Sequence, residues 1–374
     1  MPKTIYFGSI DVDDSHFSVA LINSKNEELL HFKCASNVGS MIKKIKQKNI
    51  PLKDIKLCYE ATYLGFTLYR ELKSKGIRCE VIAPSLIPKT PGKKVKTDRL
   101  DCIKLAKYYF KGMLTPVHIP DEDDEMVRDL IRSRKLLVDQ VKKIKTHIIS
   151  LCKRMSFDYR KSTGASNPAY WTQIHHRWLE KKINQLPNNS PLGLNLSGLL
   201  SLCNNIETFI SSYDEQISLL AELPKYKDKV KALNCFRGLK TLSSLTLTVE
   251  LGDIRRFPHP SKVTAYSGLS IREYSSGGKE LRFGITKQGN PILRTVVVEA
   301  CQFASQPPKV SKYLKERRIG VDPVYINIAD RCMHRLRKKS IRMFINRKHR
   351  NKIKVACARE MLCFIWEALN KAAA

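Results

Sequence analysis

Near residue 120 the hydrophobic pattern of this 374-residue chain changes period. Before that point apolar residues come in short β-branched and aromatic runs; after it they recur at helical spacing over tens of residues. Side chains alternate faces along a strand but return to one face every three or four residues along a helix, so two architectures must follow one another. The runs at 4–10 (TIYFGSI), 16–22 (HFSVALI) and 28–35 (ELLHFKCA) are separated by DVDDS and NSKNE, which predicts a three-strand meander. A helical stretch at 38–48 leads to a strand at 55–61, a helix at 65–76, a strand at 78–84 and a helix at 98–112. Beyond the change of period, one long helix is expected over 121–160 and a second over about 199–223. The mixed segment between them, 161–198, holds YWTQIHHRWLEKKINQ flanked by the loops STGASNP and LPNNSPLG. Two long helices predict an antiparallel pair, a stalk suited to dimerising, carrying RNA or spacing domains. Residues 233–253 read as two helices with Gly238 in the turn, and helices are expected at 291–306 and 355–369.

Three strands followed by strand–helix–strand–helix is the order of a ribonuclease H-like sheet, although other α/β folds share it. The length fits two or three domains. No internal repeat is present. A hydrophobic fraction of 43% is enough to build real cores, which excludes a disordered basic tail. Yet 67 Lys and Arg face 35 Asp and Glu, a formal charge of +32 that self-repels unless a polyanion neutralises it. Nucleic acid is the expected partner rather than a membrane, because no basic amphipathic helix with an aromatic face occurs. The 11 cysteines include no CxxC pair, so neither a zinc site nor a disulfide framework is expected. There is no run of about 18 apolar residues and no apolar signal core at the start; a soluble, cytoplasmic, nucleoid-associated protein is expected. Residues 309–359 hold 17 Lys and Arg against three acids, which points to nucleic-acid contact, with Arg337, Lys338 and Lys339 at its centre.

Carboxylates fall at telling places. Asp11 lies just past the first expected strand, Glu60 at the end of the fourth, and Asp98 and Asp101 are three apart at a helix start, on one face. In a ribonuclease H-like sheet these positions converge, and carboxylates that converge raise one another's pKa unless cations bind. Oxygen donors alone favour Mg²⁺ or Mn²⁺. The plainer alternative makes Asp98 a helix cap and Asp11 and Glu60 ordinary strand ends. The literal string DEDD at 121–124 is a negatively charged helix start, since consecutive residues point in different directions.

The stretch REYSSGGKELRFGITKQGNPILR, 272–294, sets two serines before two glycines amid cations. Ser and Gly are turn residues, so a polar hairpin turn accounts for it. A serine nucleophile beside glycines that admit a phosphate accounts for it as well. On the residues alone, Ser275 and Ser276 are both open to that role. Arg272, Gly277, Lys279, Arg282, Lys287 and Arg294 are candidate phosphate contacts. Tyr266 and Tyr274 are expected in the core; His175 and His176, with Trp171 and Trp178, are expected to pack or to stack on RNA rather than bind metal.

Taken together, GSIDV, CYEAT, KTDRLDCIKLA and YSSGGKELRFGITKQGNPILR resemble the DEDD-type transposases of the one-ten family of bacterial insertion sequences, bridge-RNA-guided serine recombinases. RKHRNKIKVACAREMLCFIWEAL is similar to the ending of the eleven-eleven subgroup. The resemblance runs in order through nearly the whole chain; CFRGLK at 235–240 departs from the family's PGIG-type turn. It implies a RuvC-like domain at 1–115 with Asp11, Glu60, Asp98 and Asp101 as a metal-binding catalytic tetrad. It also implies a coiled-coil stalk at 121–225 and a mostly helical, serine-bearing transposase domain at 226–374, with Ser276 as nucleophile. Its implied partners are donor and target DNA, a structured noncoding guide RNA, and further copies of the chain, dimeric and tetrameric in synapsis. A metal-dependent nuclease resembling a junction resolvase, using the tetrad alone, and a non-catalytic RNA-binding protein are the competing readings.

Overall fold

The computed structural model describes residues 4–62, 65–88, 97–276 and 279–372; of Ser276 and Lys279 it describes the backbone. The chain divides into two compact units, Met1–Pro120 and Asp121–Ala374.

The first unit is a mixed five-stranded sheet between helices. Strands β1 (Tyr6–Val12), β2 (His16–Asn23) and β3 (Leu29–Ala35) form the expected meander; helix α1 (Val38–Gln47) follows, then β4 (Ile55–Glu60), α2 (Thr67–Ser74), β5 (Arg78–Ile82) and α3 (Asp98–Phe110). The strand order is β3-β2-β1-β4-β5, with β1 antiparallel to β2 and parallel to β4. Strand alternation assigns the two faces. Ile10, Val19, Leu21, Leu57, Tyr59 and Val81 point to one side and pack with Met41 and Ile45 of α1 and Leu68 and Leu72 of α2. Ala20, Ile22, Cys58 and Ile82 point to the other and pack with Cys102, Leu105 and Ala106 of α3. A parallel β1–β4–β5 arrangement needs cover on both faces, and these helices supply it.

The second unit opens with α4 (Glu122–Arg154), α5 (Tyr159–Thr163), α6 (Gln173–Asn184) and α7 (Pro191–Ala221), of which α4 and α7 are the long stalk pair. Salt bridges Arg134–Asp214 and Lys145–Glu207 cross the seam between them. Helix α4 stops six residues short of the expected end, because Ser156 takes a left-handed φ of 60° that cannot continue a helix. Helix α7 begins eight residues early: Ser190 caps it by accepting from Gly193 N at 3.1 Å, and Pro191 sits at the first helical position, where a missing N–H costs nothing. The DEDD string is a helix start as expected. Asp121 caps α4, and Lys225 ties Asp121, Asp123 and Asp124 to the start of α8 (Pro224–Asn234).

The rest of the unit comprises α9 (Thr241–Leu251), α10 (Pro260–Tyr266), the hairpin β6 (Ile271–Ser276) and β7 (Lys279–Ile285), α11 (Pro291–Ala300), α12 (Lys312–Arg317), α13 (Pro323–Ile345) and α14 (Arg350–Ala372). Its core gathers Phe236, Leu239, Leu247, Leu251, Leu293 and Val297 around Cys357, Met361, Leu362 and Ile365 of α14. Gly238 does sit in the turn between α8 and α9, at φ 90°; a Cβ there would meet the Ala300 carbonyl oxygen at 2.2 Å. Helix α11 ends at Ala300 rather than 306, tightening into a turn at Cys301–Phe303 ahead of Pro307. Ten of the 11 cysteines are buried and all are free thiols.

At the α5–α6 end of the stalk, His175 is 1% exposed, with rings of Tyr159, Trp171 and Trp178 at 4.6, 5.1 and 5.7 Å. Burial, reinforced by the neighbouring His176, lowers its pKa from 6.5 to about 4. Its unfolded value lies above its folded one, so protonation favours unfolding. The stabilisation is complete above pH 6.5 and is lost as pH falls towards 4, at most about 3 kcal/mol. Hydrogen exchange in 159–200 and the fluorescence of Trp171 and Trp178 are expected to show this end loosening between pH 6.5 and 4.5. His175→Leu should flatten that dependence; identical protection at both pH values in the unaltered protein would refute the assignment.

Candidate active site and nucleic-acid interface

Asp11 and Glu60 reach the same sheet edge from parallel strands. The β1–β4 register pairs Ile10 with Tyr59, so the next residues, Asp11 and Glu60, stand side by side at the carboxyl ends. Both belong to the face covered by α3, being two residues beyond Ser9 and Cys58. Helix α3 is pinned to that edge: Ser9 Oγ donates to the Cys102 carbonyl at 2.6 Å, and Cys102 Sγ donates to the Ser18 carbonyl at 3.1 Å. Asp98 precedes Cys102 by four residues and Asp101 by one, so the first turn of α3 brings both acids towards the edge. The helix cap is Thr97, whose Oγ1 accepts from Leu100 N at 3.3 Å; Asp98 does not serve as the cap.

Asp11 senses the other three acids. The Asp11 carboxyl is held above its ordinary pKa first by burial and then by the charges of Asp98, Asp101, Glu60 and Asp13. Asp13 belongs to the β1–β2 turn, where it accepts from Ser15 N at 2.9 Å and from the Ser15 hydroxyl at 2.5 Å. Among the described residues no three His, Cys, Asp or Glu stand close enough to cage a metal as they are. An all-carboxylate donor set whose charges raise the pKa of Asp11 nevertheless suits a hard divalent cation, which relieves that repulsion.

The two serines lie on β6. Ser275 pairs across the hairpin with Glu280, and Ser276, the last residue of the strand, pairs through its backbone with Lys279. Ser275 Oγ donates to Glu273 at 3.3 Å, and Arg282 bridges Glu273 and Glu280, both at 3.1 Å, so this face is charged and internally paired. Tyr274 and Leu281, cross-strand partners, are 67% and 56% exposed, as is Phe283 at 55%. The core placement expected for Tyr274 is therefore corrected: a two-stranded ribbon standing off the body has no interior to receive it. Tyr266, by contrast, packs on the core beside Phe257, with Arg256 over its ring at 4.5 Å. Gly277, with Gly278, lies outside the described residues, as do the side chains of Ser276 and Lys279.

Comparison with known proteins decides the family. A DEDD transposase model of IS110-type elements matches residues 9–156, and a model described as the transposase IS116/IS110/IS902 family matches 230–315. The chain is 32% identical over 368 residues to the putative transposase y4qE of Sinorhizobium fredii, covering 98% of this chain and 89% of that one. It is 30% identical over 342 residues to the transposase for insertion sequence element IS1533 of Leptospira borgpetersenii, covering 91% and 96%. The chain belongs to the IS110 transposase family. A third relative, the transposase for insertion sequence element IS1111A of Coxiella burnetii, is 24% identical over 271 residues. Family membership makes the protein an enzyme of DNA transposition, and it favours that reading over a resolvase-like nuclease or a passive RNA binder.

Within this transposase, much of the conspicuous motif after the hairpin turn is architectural. Gly268 and Gly289, at φ 69° and 125°, let the base of the hairpin close: Lys287 N donates to Gly268 O at 3.0 Å and Asn290 N to Tyr266 O at 2.8 Å. Arg294 clamps that closure, donating to the Ser267 and Lys287 carbonyls at 2.9 and 3.4 Å. Asn290 caps α11 and donates its side-chain amide to Glu250 at 2.7 Å. Glu250 is buried and also accepts from Arg132 of α4 at 3.0 Å, joining stalk, core and hairpin at one carboxylate. Reasoning from sequence missed Glu250. The only signal was an acid inside the apolar run LTLTVEL, which an unpaired charge would not tolerate.

The candidate phosphate contacts divide by what they already hold. Arg272, Lys287 and Lys338 are exposed, while Arg282 is exposed but paired with its two glutamates. Lys339 is half-buried and bridges Glu360 at 2.6 Å; Arg337 donates to the Ser305 carbonyl at 3.1 Å. Other cations of the 309–359 run also hold the unit together. Arg318 bonds the Cys235 carbonyl and Asp330, both at no more than 3.2 Å, and Arg331 and Arg335 bridge from α13 to Glu367 and Glu360 on α14. The exposed remainder, Lys309, Lys312 and Lys315 on one stretch and Lys338, Arg342, Arg347, Lys348, Arg350 and Lys352 on another, is where this region presents charge to solvent. Among the described residues no helix is long and apolar enough to cross a membrane.

Proposed function

We propose that this transposase moves its element by strand exchange through a covalent phosphoserine–DNA link formed by Ser276, guided by a structured noncoding bridge RNA. The observation that carries the reading is the hairpin anchored by Glu250, Asn290 and Arg294, which has Ser276 as the last residue of β6. The Ser276 Oγ attacks a DNA phosphodiester and its proton passes to a general base; the Oγ–P bond forms and the P–O3′ bond breaks, releasing a 3′ hydroxyl. A 3′ hydroxyl from another strand reverses the exchange, so the bond energy is conserved and no ATP is consumed. Arg272, Lys279, Lys287 and the glycines, Gly277 included, offer charge and close backbone approach to the transferring phosphate. Asp11, Glu60, Asp98 and Asp101 would hold Mg²⁺ or Mn²⁺, which supplies charge neutralisation and polarisation of phosphate oxygens. The mutual repulsion of the carboxylates at Asp11 supports that assignment. Further copies of the chain, as a dimer and as a tetramer in synapsis, would bring donor and target together. The C-terminal sequence RKHRNKIKVACAREMLCFIWEAL supports the eleven-eleven-like subgroup.

RNA binding is the first test. With +32 formal charges, the affinity for a structured RNA copurified with the protein is expected to fall at least about a thousandfold between 50 and 200 mM salt, as neutralised phosphates release counterions. Filter binding across that range checks it, and a flat plot of log affinity against log salt defeats the nucleic-acid reading. Sequencing the copurified RNA identifies whether a guide is present.

A further inference from the structure

The β6–β7 ribbon has two unlike faces, and its register assigns them. Glu273 pairs with Arg282 and Ser275 with Glu280, while Tyr274 pairs with Leu281 in the alternate phase of the pleat. The first face is closed on itself: Arg282 holds both glutamates, and Ser275 donates to Glu273. With two acids and one cation it is locally negative, in a molecule of +32. The second face carries Tyr274, Leu281 and, two residues further on β7, Phe283, all more than half exposed. The next pair in that phase is Ser276 with Lys279. Ile271 pairs with Ile285 and Glu273 with Arg282, so β7 holds one extra residue beside Phe283, a bulge of the kind that re-aims side chains at working sites. Exposed apolar side chains gathered on one face and rimmed by polar groups mark a surface that meets something.

We infer that Tyr274 and Phe283 are a stacking platform for DNA bases that have left the duplex beside the phosphate at which strands exchange. Charge selects the face and the occupant. A DNA strand laid on the first face would bring its phosphates to Glu273 and Glu280. On the second, exposed Arg272 and Lys287 at the foot of the ribbon offer cations to the phosphate while the rings offer their faces to the base. An intact duplex gives such rings nothing to stack on, because its bases cover one another; only a base out of the stack presents its face. Strand exchange creates such bases, since each strand must leave its partner at the crossover. Tyr274 stands two residues, about 7 Å, from Ser276 along β6, so a strand reacting at Ser276 has its neighbouring base within reach of the ring. That position of the phosphate rests on the proposed role of Ser276; the stacking itself does not.

The probe is a synthetic DNA duplex with a short central bubble of mismatched pairs and 2-aminopurine within the bubble. The fully paired duplex of the same length and the same bubble made of RNA are its controls. The unaltered full chain is expected to bind the DNA bubble at least about tenfold more tightly than the paired duplex, and to quench the 2-aminopurine, because stacking on an aromatic side chain contributes on that order per base. Tyr274→Val with Phe283→Val keeps apolar, strand-favouring residues on the ribbon and removes only the rings. The preference and the quenching are expected to vanish in that variant, with thermal unfolding and affinity for the paired duplex unchanged. Tyr274→Phe with Phe283→Tyr should retain both signals, and so should Phe209→Val, which removes an exposed ring of α7. A bubble preference that survives loss of both rings, or a larger preference for the RNA bubble, overturns the inference. A ring-dependent preference with no covalent adduct on Ser276 would remove the nucleophile and keep the platform; an adduct on Ser276 with no ring-dependent preference would do the reverse.

Discussion

Ser276→Ala is expected to abolish covalent capture of DNA and strand exchange together, while Ser275→Ala slows the reaction by roughly tenfold or less. The two residues are adjacent on β6 but do different work on the proposed function. Ser276 supplies the only atom that can hold DNA covalently, so its loss leaves no alternative path through the same intermediate; a fall of at least about a thousandfold corresponds to more than 4 kcal/mol of barrier. Ser275 makes one exposed hydrogen bond to Glu273 at 3.3 Å. Removing a bond of that kind costs about 0.5–1.5 kcal/mol. A suicide DNA duplex nicked near the crossover should trap a protein–DNA adduct, and mass spectrometry of the digest should locate it on the peptide containing Ser276. An adduct that survives Ser276→Ala, or that maps to Ser275 or a tyrosine, refutes the nucleophile. Strand cutting in Mg²⁺ with no adduct at all would move the chemistry to the carboxylates alone, as a nuclease.

The second large effect concerns those carboxylates. Asp11→Asn, Glu60→Gln, Asp98→Asn and Asp101→Asn are each expected to reduce strand exchange by about a thousandfold or more while RNA binding is retained, with EDTA acting likewise and Mg²⁺ or Mn²⁺ restoring activity. Asp11 adds a signature that a merely structural acid lacks. Burial and its acidic neighbours raise its pKa, so at neutral pH the folded state tolerates the charged form less well than the unfolded chain does. Asp11→Asn keeps the shape and removes the charge. In metal-free buffer it is therefore expected to raise the melting temperature even as activity disappears. Full recombination in EDTA would remove the metal from the mechanism; a lower melting temperature for Asp11→Asn would mean that the carboxylate is held by favourable contacts instead.

These expectations draw on two kinds of information. The short β-branched runs and their turn residues determined the element order and the meander of the first unit, because strand alternation and DVDDS- and NSKNE-type turns are local properties of the chain; the β1–β4 pairing was decided by the tertiary structure. The same local rules put Asp11, Glu60, Asp98 and Asp101 at element ends, and made 121–124 a helix start. Helix ends were less legible. LPNNSPLG reads as a loop, but Ser190 and Pro191 together form a better helix start than a turn, and only the packed α7 shows which won. Tertiary structure alone decided which charges are available. Seventeen cations in 309–359 look alike in sequence, yet Arg318 and Lys339 are held inside by carbonyls and carboxylates brought from far along the chain. Arg294 looks like a phosphate contact in the motif, and Glu250 like an anomaly in an apolar helix. Their meaning appears only when α9, α11 and the hairpin base meet, because the partner that neutralises a buried charge is chosen by proximity in space, which no local pattern encodes.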